Sequence, residues 1–118
     1  MVGYMRQQSM QLTPVQSYWN PDKGYITSNT GGGRSGIDAN SALASIQTFD
    51  PEAGCDAATF QPCSDKALSS LKVYADSFRS IYPINKDVPH NGGVATGRYP
   101  EDVWYNGNVR LFLSMDFC

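Results

Sequence analysis

The stretch SDKALSSLKVYADSFRSIYP, residues 64–83, decides the fold of this chain. Its apolar side chains recur at alternating intervals of three and four residues, as on one face of an α-helix: Leu68, Leu71, Ala75, Phe78 and Tyr82. Ser64 is a residue type that caps helix starts, Asp65 suits the positive helix end, and Pro83 cannot continue a helix. The stretch predicts a helix with a buried apolar stripe that ends before Pro83.

A second helix is predicted over residues 37–49, again from spacings of three and four. Its expected buried stripe consists of Ala39, Ala42, Leu43, Ile46 and Phe49. Asp38 and Asn40 are the predicted caps, and Asp50-Pro51 ends the element. A further short helix is predicted to begin at Thr13, because Pro14 is tolerated in a first helical turn.

The segments between these helices read as turns and loops. Residues 20–24 carry Asn, Pro, Asp and Gly, which predict a turn, and residues 25–27 are predicted to be extended. Residues 28–36, 52–62 and 85–97 are predicted loops, and no strand alternation or internal repeat stands out. The chain of 118 residues has room for one domain, and its predicted fold class is all-α.

Composition excludes several classes of function. Net charge is −2 and the basic residues are scattered singly, so no nucleic-acid partner is expected. No run of 18 apolar residues predicts a membrane helix, and no His or Cys cluster predicts a metal site. The glycine-rich residues 30–36 lack the Gly-Lys-Ser/Thr ending of a P-loop, so we expect a mobile loop there and no cofactor. His90 is the lone histidine, and we expect it to be a surface residue. Residues 1–10 lack the pattern of a signal peptide, so the chain is either not secreted or begins upstream.

The cysteines favour one local crosslink. Cys55 and Cys63 lie eight positions apart in a predicted loop, and a disulfide between them would contribute about 2–3 kcal/mol by loop closure. Such a bond requires an oxidising compartment. Free thiols are the alternative, and the role of Cys118 stays open.

Residues 98–108 (RYPEDVWYNGN) are the strongest candidate for ligand contact. Guanidinium, carboxylate and amide groups suit sugar hydroxyls, and aromatic rings suit the apolar faces of sugars. The alternative is a loop whose aromatic residues pack against the rest of the fold. Glu101 and Asp102 are adjacent, which is a poor arrangement for the two carboxyls of a glycosidase, since these must flank the bond about 6.5–9.5 Å apart in an inverting enzyme.

Several stretches resemble the fungal glucoamylases of glycoside hydrolase family fifteen. They occur in the family's order with similar spacing over about residues 13–108, and they read QSYW (16–19), RSGIDAN (34–40), SIQTFDPEA (45–53), TFQPCS (59–64), DSFRSIY (76–82), GRYPED (97–102) and YNGN (105–108). The resemblance implies that residues 1–118 are part of a catalytic domain of the (α/α)6 barrel type. It also implies a secreted, monomeric parent protein.

The reaction implied by the resemblance is release of β-glucose, with inversion, from the non-reducing ends of α-1,4-glucans. One glutamic acid of the family protonates the leaving oxygen and another activates water. Both family positions lie outside the matched region, and Glu52 and Glu101 match neither of them. We therefore expect a fragment with no catalytic residue, inactive alone.

Substrate contacts do carry over from the resemblance. Arg98 matches an arginine that donates to sugar hydroxyls, and Trp104 matches an aromatic residue of the adjacent subsite. Asp102 and Tyr105 match supporting positions of the same loop, and Cys55 with Cys63 matches a family disulfide. The expected partner is an α-glucan or a maltooligosaccharide.

The chain departs from the family pattern at its end, where residues 109–118 diverge and Arg110 replaces an expected tryptophan. Two other hypotheses stay open, a stand-alone carbohydrate-binding module without catalysis and an interaction protein without a sugar role. Because barrel helices bury their stripes against neighbouring helices, we expect the isolated piece to unfold with low cooperativity or to aggregate.

Overall fold

The computed structural model describes residues 17–103. Along this part of the chain run strands β1 (Trp19–Asn20) and β2 (Tyr25–Ile26), a 3-10 turn (Gly31–Gly33), helix α1 (Ala39–Gln47), helix α2 (Asp65–Ser77) and a second 3-10 turn (Pro83–Asn85). The helix predicted to begin at Thr13 and the divergent tail 109–118 lie outside the described residues. Neither helix of the described part has the length and apolar character needed to cross a membrane.

The predicted turn at residues 20–24 joins the two strands as an antiparallel hairpin, with Trp19 opposite Ile26. The side-chain oxygen of Asn20 accepts hydrogen bonds from the backbone of Asp22 and of Lys23, each at 3.1 Å. Gly24 has a φ of 75°, a left-handed conformation that glycine adopts without steric cost. The hairpin is strand structure in a chain predicted to be all-α. The sequence did not predict it, because strands of two residues are too short to show an alternation of apolar and polar side chains.

Helix α1 begins at Ala39, slightly later than predicted, and the predicted Asp38 cap is confirmed. The buried Asp38 carboxylate accepts from the backbone N–H of Asn40 at 2.9 Å. Asn40 itself lies in the first turn and is not the cap. The predicted stripe was partly wrong, because Ile46 is 52% and Phe49 62% exposed. The buried positions are the small ones, Ala39, Ala42 and Ser45. Small residues fit here because the bulk of the interface comes from Tyr74 and Phe78 of the other helical segment.

Helix α2 confirms the predicted Ser64 cap, whose Oγ accepts from the backbone N–H of Ala67 at 3.3 Å. Leu68, predicted to be buried, is 46% exposed. The buried face of α2 therefore differs from the predicted one and includes Ser70, which binds the hairpin together with its neighbour Ser69. Ser70 Oγ accepts from the Ile26 N–H at 3.1 Å, and Ser69 Oγ donates to the Gly24 carbonyl at 2.5 Å.

The second helix ends at Ser77, five residues before the predicted end at Tyr82. Phe78 is the C-cap, and its carbonyl accepts from the backbone of Ile81 and of Tyr82, each at 3.3 Å, in a turn. The side-chain amide of Asn85 also donates to this carbonyl, at 2.9 Å. These bonds turn the chain away from the helix axis before Pro83 is reached.

Two buried clusters form the core of the described part. Ile26, Phe60 and Ala67 join the hairpin to α2, with Trp19 packed against them. Ala39, Tyr74 and Phe78 join α1 to α2, with Ile37, Leu71 and Tyr82 at their edge. Large apolar side chains remain exposed outside these clusters, among them Ile84 at 75% and Val103 at 84%.

The loop between the helices contains the predicted disulfide, with Cys55 and Cys63 bonded and their Cα atoms 4.8 Å apart. Beside it, the fully buried amide of Gln61 donates to the Thr48 carbonyl at 2.9 Å and accepts from the Asp50 N–H at 2.8 Å. The crosslink and the buried amide together fix the loop against the end of α1.

Candidate functional site

The loop of residues 97–102 carries two of the predicted sugar-binding residues, Arg98 and Asp102, and hydrogen bonds to its main chain hold it in place. The buried hydroxyl of Tyr74 on α2 donates to the Gly97 carbonyl at 2.6 Å. The first amide of α1, on Ala39, donates to the Arg98 carbonyl at 2.8 Å. The Asp102 N–H closes a turn on the Tyr99 carbonyl at 3.1 Å. Both helices therefore position this loop.

Gly97 has to be a glycine because the backbone lies directly on two aromatic rings. A Cβ atom at this position would fall on the hydroxyl of Tyr82 and 3.1 Å from Cε1 of Phe78. Such an approach is tighter than real Cβ contacts allow. The rings of Phe78 and Tyr82 therefore fix how closely the 97–102 loop approaches the end of α2.

The ring of Tyr99 lies between two arginines. The Arg34 guanidinium carbon is 3.9 Å from the ring centre, and its Nη2 donates to the tyrosine hydroxyl at 3.0 Å. The Arg98 guanidinium carbon is 5.9 Å from the same ring centre. Both distances are in the range of cation–π attraction. Tyr99 therefore pairs mainly with Arg34, and Arg98 stays exposed.

Glu101 is attached to the segment that precedes α1. Its Oε1 accepts from the backbone N–H of Ser35 at 3.0 Å. Partial burial alone would raise the pKa of this carboxyl, but hydrogen bonds from Ser35 and the charge of Arg34 outweigh it, so the pKa lies below the ordinary value. Hydrogen bonding to Ser35 therefore favours the ionised form of Glu101 and ties it to this segment.

The lowered pKa of Glu101 predicts a pH-dependent stabilisation. A carboxyl whose pKa falls on folding stabilises the native state above its unfolded pKa, near 4.5, and loses that contribution as pH falls through the lower folded value. We expect Glu101→Gln to lower the melting temperature at pH 7 and to leave it unchanged well below the folded pKa. Melting curves from pH 2 to 7 test this, with Glu52→Gln on the exposed loop as the control; a gap between wild type and Glu101→Gln that persists at low pH would contradict it.

Asp102 lies close enough to Tyr82 to influence its ionisation. Burial raises the pKa of the Tyr82 hydroxyl, and the negative charge of Asp102 raises this pKa further. Asp102 itself is partly buried.

The structure brings Arg98 and Asp102 together on one loop, while Trp104 and Tyr105 lie outside the described residues. Sequence reasoning missed Arg34, which ends the glycine-rich stretch that was predicted to be a mobile loop. The stretch contains a 3-10 turn, and Arg34 and Ser35 after it bind Tyr99 and Glu101. The contact joins residues 65 positions apart, so no local pattern of the sequence indicated it.

The cavity between the segment that follows β2 and the first turns of α1 does not include Glu101 in its lining. Its lining, which includes Tyr18, Thr27 and Ser41, contains no carboxylate at all. Within residues 17–103, no three His, Cys, Asp or Glu side chains are grouped as metal ligands would be. The cavity beside Tyr18 therefore offers hydroxyl, amide and aromatic contacts and has no acid in its lining.

Comparison with known proteins points to one family. The family model described as "Glycosyl hydrolases family 15" matches residues 3–114. Glucoamylase-1 of Schizophyllum commune is 63% identical over 105 residues, and Glucoamylase-1 of Arthroderma benhamiae is 56% identical over 97. These matches take up 89% and 82% of this chain but only 18% and 16% of the two relatives.

A solved structure gives the same result in three dimensions. The family 15 glucoamylase of Hypocrea jecorina superposes with a TM-score of 0.78 at 59% sequence identity. The match covers 86% of this chain and 17% of the solved chain. The chain therefore spans less than a fifth of the length of these relatives.

Proposed function

Because this chain belongs to the glycosyl hydrolases of family 15, we propose that it supplies part of the α-glucan-binding surface of a glucoamylase catalytic unit. The unit to which it contributes would release β-glucose from non-reducing chain ends with inversion. The chain itself contributes sugar contacts and no catalytic carboxylate. The single observation that carries this proposal is the 97–102 loop, held by main-chain bonds with Arg98 exposed.

The site residues of the proposal are Arg98 and Asp102, together with Trp104 and Tyr105 from the adjoining sequence. Among residues 17–103, the Arg98 guanidinium forms no ion pair and its neighbour is the Tyr99 ring. Five N–H donors in a planar fork suit adjacent ring hydroxyls. Asp102 would accept hydrogen bonds from sugar hydroxyls, and Trp104 and Tyr105 would stack on sugar faces.

The proposal assigns cleavage to residues beyond this chain. An inverting hydrolase needs an acid and a base about 6.5–9.5 Å apart with room for water between them. Glu101 is attached to Ser35, and Glu52 is exposed in the disulfide loop. We propose that the parent catalytic unit is an (α/α)6 barrel, secreted and monomeric, to which residues 17–103 contribute helices α1 and α2.

Ligand binding by Arg98 is tested by calorimetric titration of the chain with maltotriose. We expect Arg98→Ala to weaken binding about tenfold or more, because hydrogen bonds from a charged donor contribute about 1.5–3 kcal/mol. Arg98→Lys keeps the charge but loses the planar fork, so it should fall between wild type and alanine. Lys86→Ala, which removes an exposed cation elsewhere, should bind like wild type.

Two results would overturn the proposal. Equal affinity of wild type and Arg98→Ala would remove the arginine from the sugar site. Glucose release from maltose or soluble starch well above blank would show that the chain carries its own catalytic pair.

A further inference from the structure

The cavity beside Tyr18, apart from the 97–102 loop, has a volume of about 560 Å³. It lies between the segment that follows β2 and the first turns of α1. Its walls include Tyr18, Ile26, Thr27, Asn29, Asn40 and Ser41. None of its lining residues belongs to the 97–102 loop. The volume is in the range of about 300–1,000 Å³ found for small-molecule sites.

The lining has a restricted chemistry. It contains hydroxyls and side-chain amides, one aromatic ring and an apolar floor, but no charged side chain. An anion or a metal ion would find no counter-charge there, and a purely apolar ligand would offer no hydrogen bond to the hydroxyls and amides of the wall. A neutral ligand with many hydroxyls and an apolar face fits all three parts. The ring of Tyr18, 58% exposed, is placed to contact such a face.

Two hydroxyls in the wall have unmet hydrogen-bonding capacity. Within residues 17–103, Thr27 Oγ1 and Ser41 Oγ are closed off from solvent and have no hydrogen-bond partner. A buried polar group without a partner destabilises the protein, because it has lost its hydrogen bonds to water and gained none in return. Side-chain hydroxyls reach other staggered positions by rotation about χ1, so a ligand hydroxyl in the cavity can supply the missing partner.

The cavity wall is held in shape by local structure. Asn29 has a φ of 44°, unusual for a residue with a side chain, and its amide donates to the buried Asp38 carboxylate at 3.3 Å. Gly36 allows the chain to pass close to Thr27, since a Cβ there would lie 2.5 Å from the Thr27 methyl group. The cap of α1 and a close glycine contact therefore shape the wall without any ligand.

We propose that this cavity is a second sugar-binding site, which holds a short stretch of an α-glucan apart from the 97–102 loop. Tyr18 stacks on a sugar face, the asparagines bind ring hydroxyls, and Thr27 and Ser41 gain the partners they lack. The proposal rests on the proposed function only for the choice of an α-linked glucose polymer. The site would hold a neighbouring part of the polymer, and it takes no part in bond cleavage.

The test is a titration of the isotope-labelled chain with maltotriose, followed by backbone amide NMR. We expect two groups of signals to shift, those of residues 27–29 and 40–41 and those of residues 98–102. Movement of the second group alone would overturn the cavity proposal and leave the proposed function standing. Movement of the first group alone would support the cavity and count against the proposed function, and movement of neither would overturn both.

Two pairs of variants make the assignment to the cavity specific. Tyr18→Ala should weaken binding at residues 27–29 and 40–41 about tenfold, because it removes the ring that stacks on the sugar face, while Tyr18→Phe should bind like wild type. Thr27→Val and Ser41→Ala remove hydroxyls that lack partners, so they should weaken sugar binding without lowering the melting temperature. Unchanged affinity in Tyr18→Ala and in both hydroxyl variants would contradict the proposal, and it would favour polypeptide of the longer relatives as the occupant.

Discussion

Replacing Phe78 by alanine will lower the free energy of unfolding of this chain by about 3–5 kcal/mol, the range for a phenylalanine lost from a closed core. The ring is fully buried. It packs edge-on against Tyr74 at 5.3 Å and stacks on Tyr82 at 5.6 Å between centroids. The alanine variant therefore leaves a cavity where α1, α2 and the 97–102 loop meet.

The measurement is urea unfolding followed by far-ultraviolet circular dichroism, which reports the two helices. Phe49→Ala is the matched control, since it removes the same side chain from a position that is 62% exposed, and its cost should stay below about 1 kcal/mol. Similar losses in the two variants would mean that the cluster around Phe78 is not the core of this chain. We expect maltotriose binding to fall together with stability in Phe78→Ala, because Gly97 lies on this ring.

Removing the Asn85 side chain will cost about 2–4 kcal/mol, an effect as large as that of many core substitutions. Its amide donates to the Phe78 carbonyl at 2.9 Å and to the Ala95 carbonyl at 2.8 Å, and its oxygen accepts from the Ala95 N–H at 2.8 Å. In Asn85→Ala, both main-chain groups of Ala95 lose these partners in a partly buried place. The segment between the end of α2 and the 97–102 loop then loses its main attachment.

Hydrogen exchange provides the sharpest readout of this variant, because the Ala95 amide should exchange much faster in Asn85→Ala than in wild type. Asn91→Ala, at an exposed position of the same loop, should leave both the exchange rate and the urea midpoint unchanged. Asn85→Asp keeps the acceptor but places a second oxygen against two carbonyls, so we expect it to be as damaging as alanine. An unchanged midpoint in both Asn85 variants would contradict this account.

The sequence predicts the parts of this fold that depend on local chemistry. Both helices, the Ser64 and Asp38 caps and the turn at residues 20–24 follow from residue type and spacing, and the disulfide follows from its loop context and the family resemblance. The sequence did not predict correctly which face of each helix is buried. Ser69 and Ser70 face the hairpin because backbone groups there need partners, a tertiary demand that apolar periodicity does not contain.

The candidate site likewise contains residues that the sequence predicted and residues that it missed. Arg98 and Asp102 were predicted from sugar chemistry and resemblance, and they lie on one loop. The roles of Arg34 and Asn85 depend on contacts across 65 and 10 positions of the chain, and no local pattern indicates either contact. The cavity beside Tyr18 was likewise invisible in the sequence, because it is formed by segments that only folding brings together.

The attachment of the 97–102 loop through main-chain atoms has a consequence for how such a surface can change over generations. The carbonyls of Gly97 and Arg98, which any amino acid supplies, anchor the start of the loop, and Gly97 itself must lack a side chain. The side chains of Tyr99 and Glu101 anchor the rest, so the Arg98 side chain is not one of the anchors. Substitutions at Arg98 can therefore alter what is bound with little loss of foldedness. Ligand preference and structural integrity are separable here, so drift or directed evolution could explore new sugars from an unaltered scaffold.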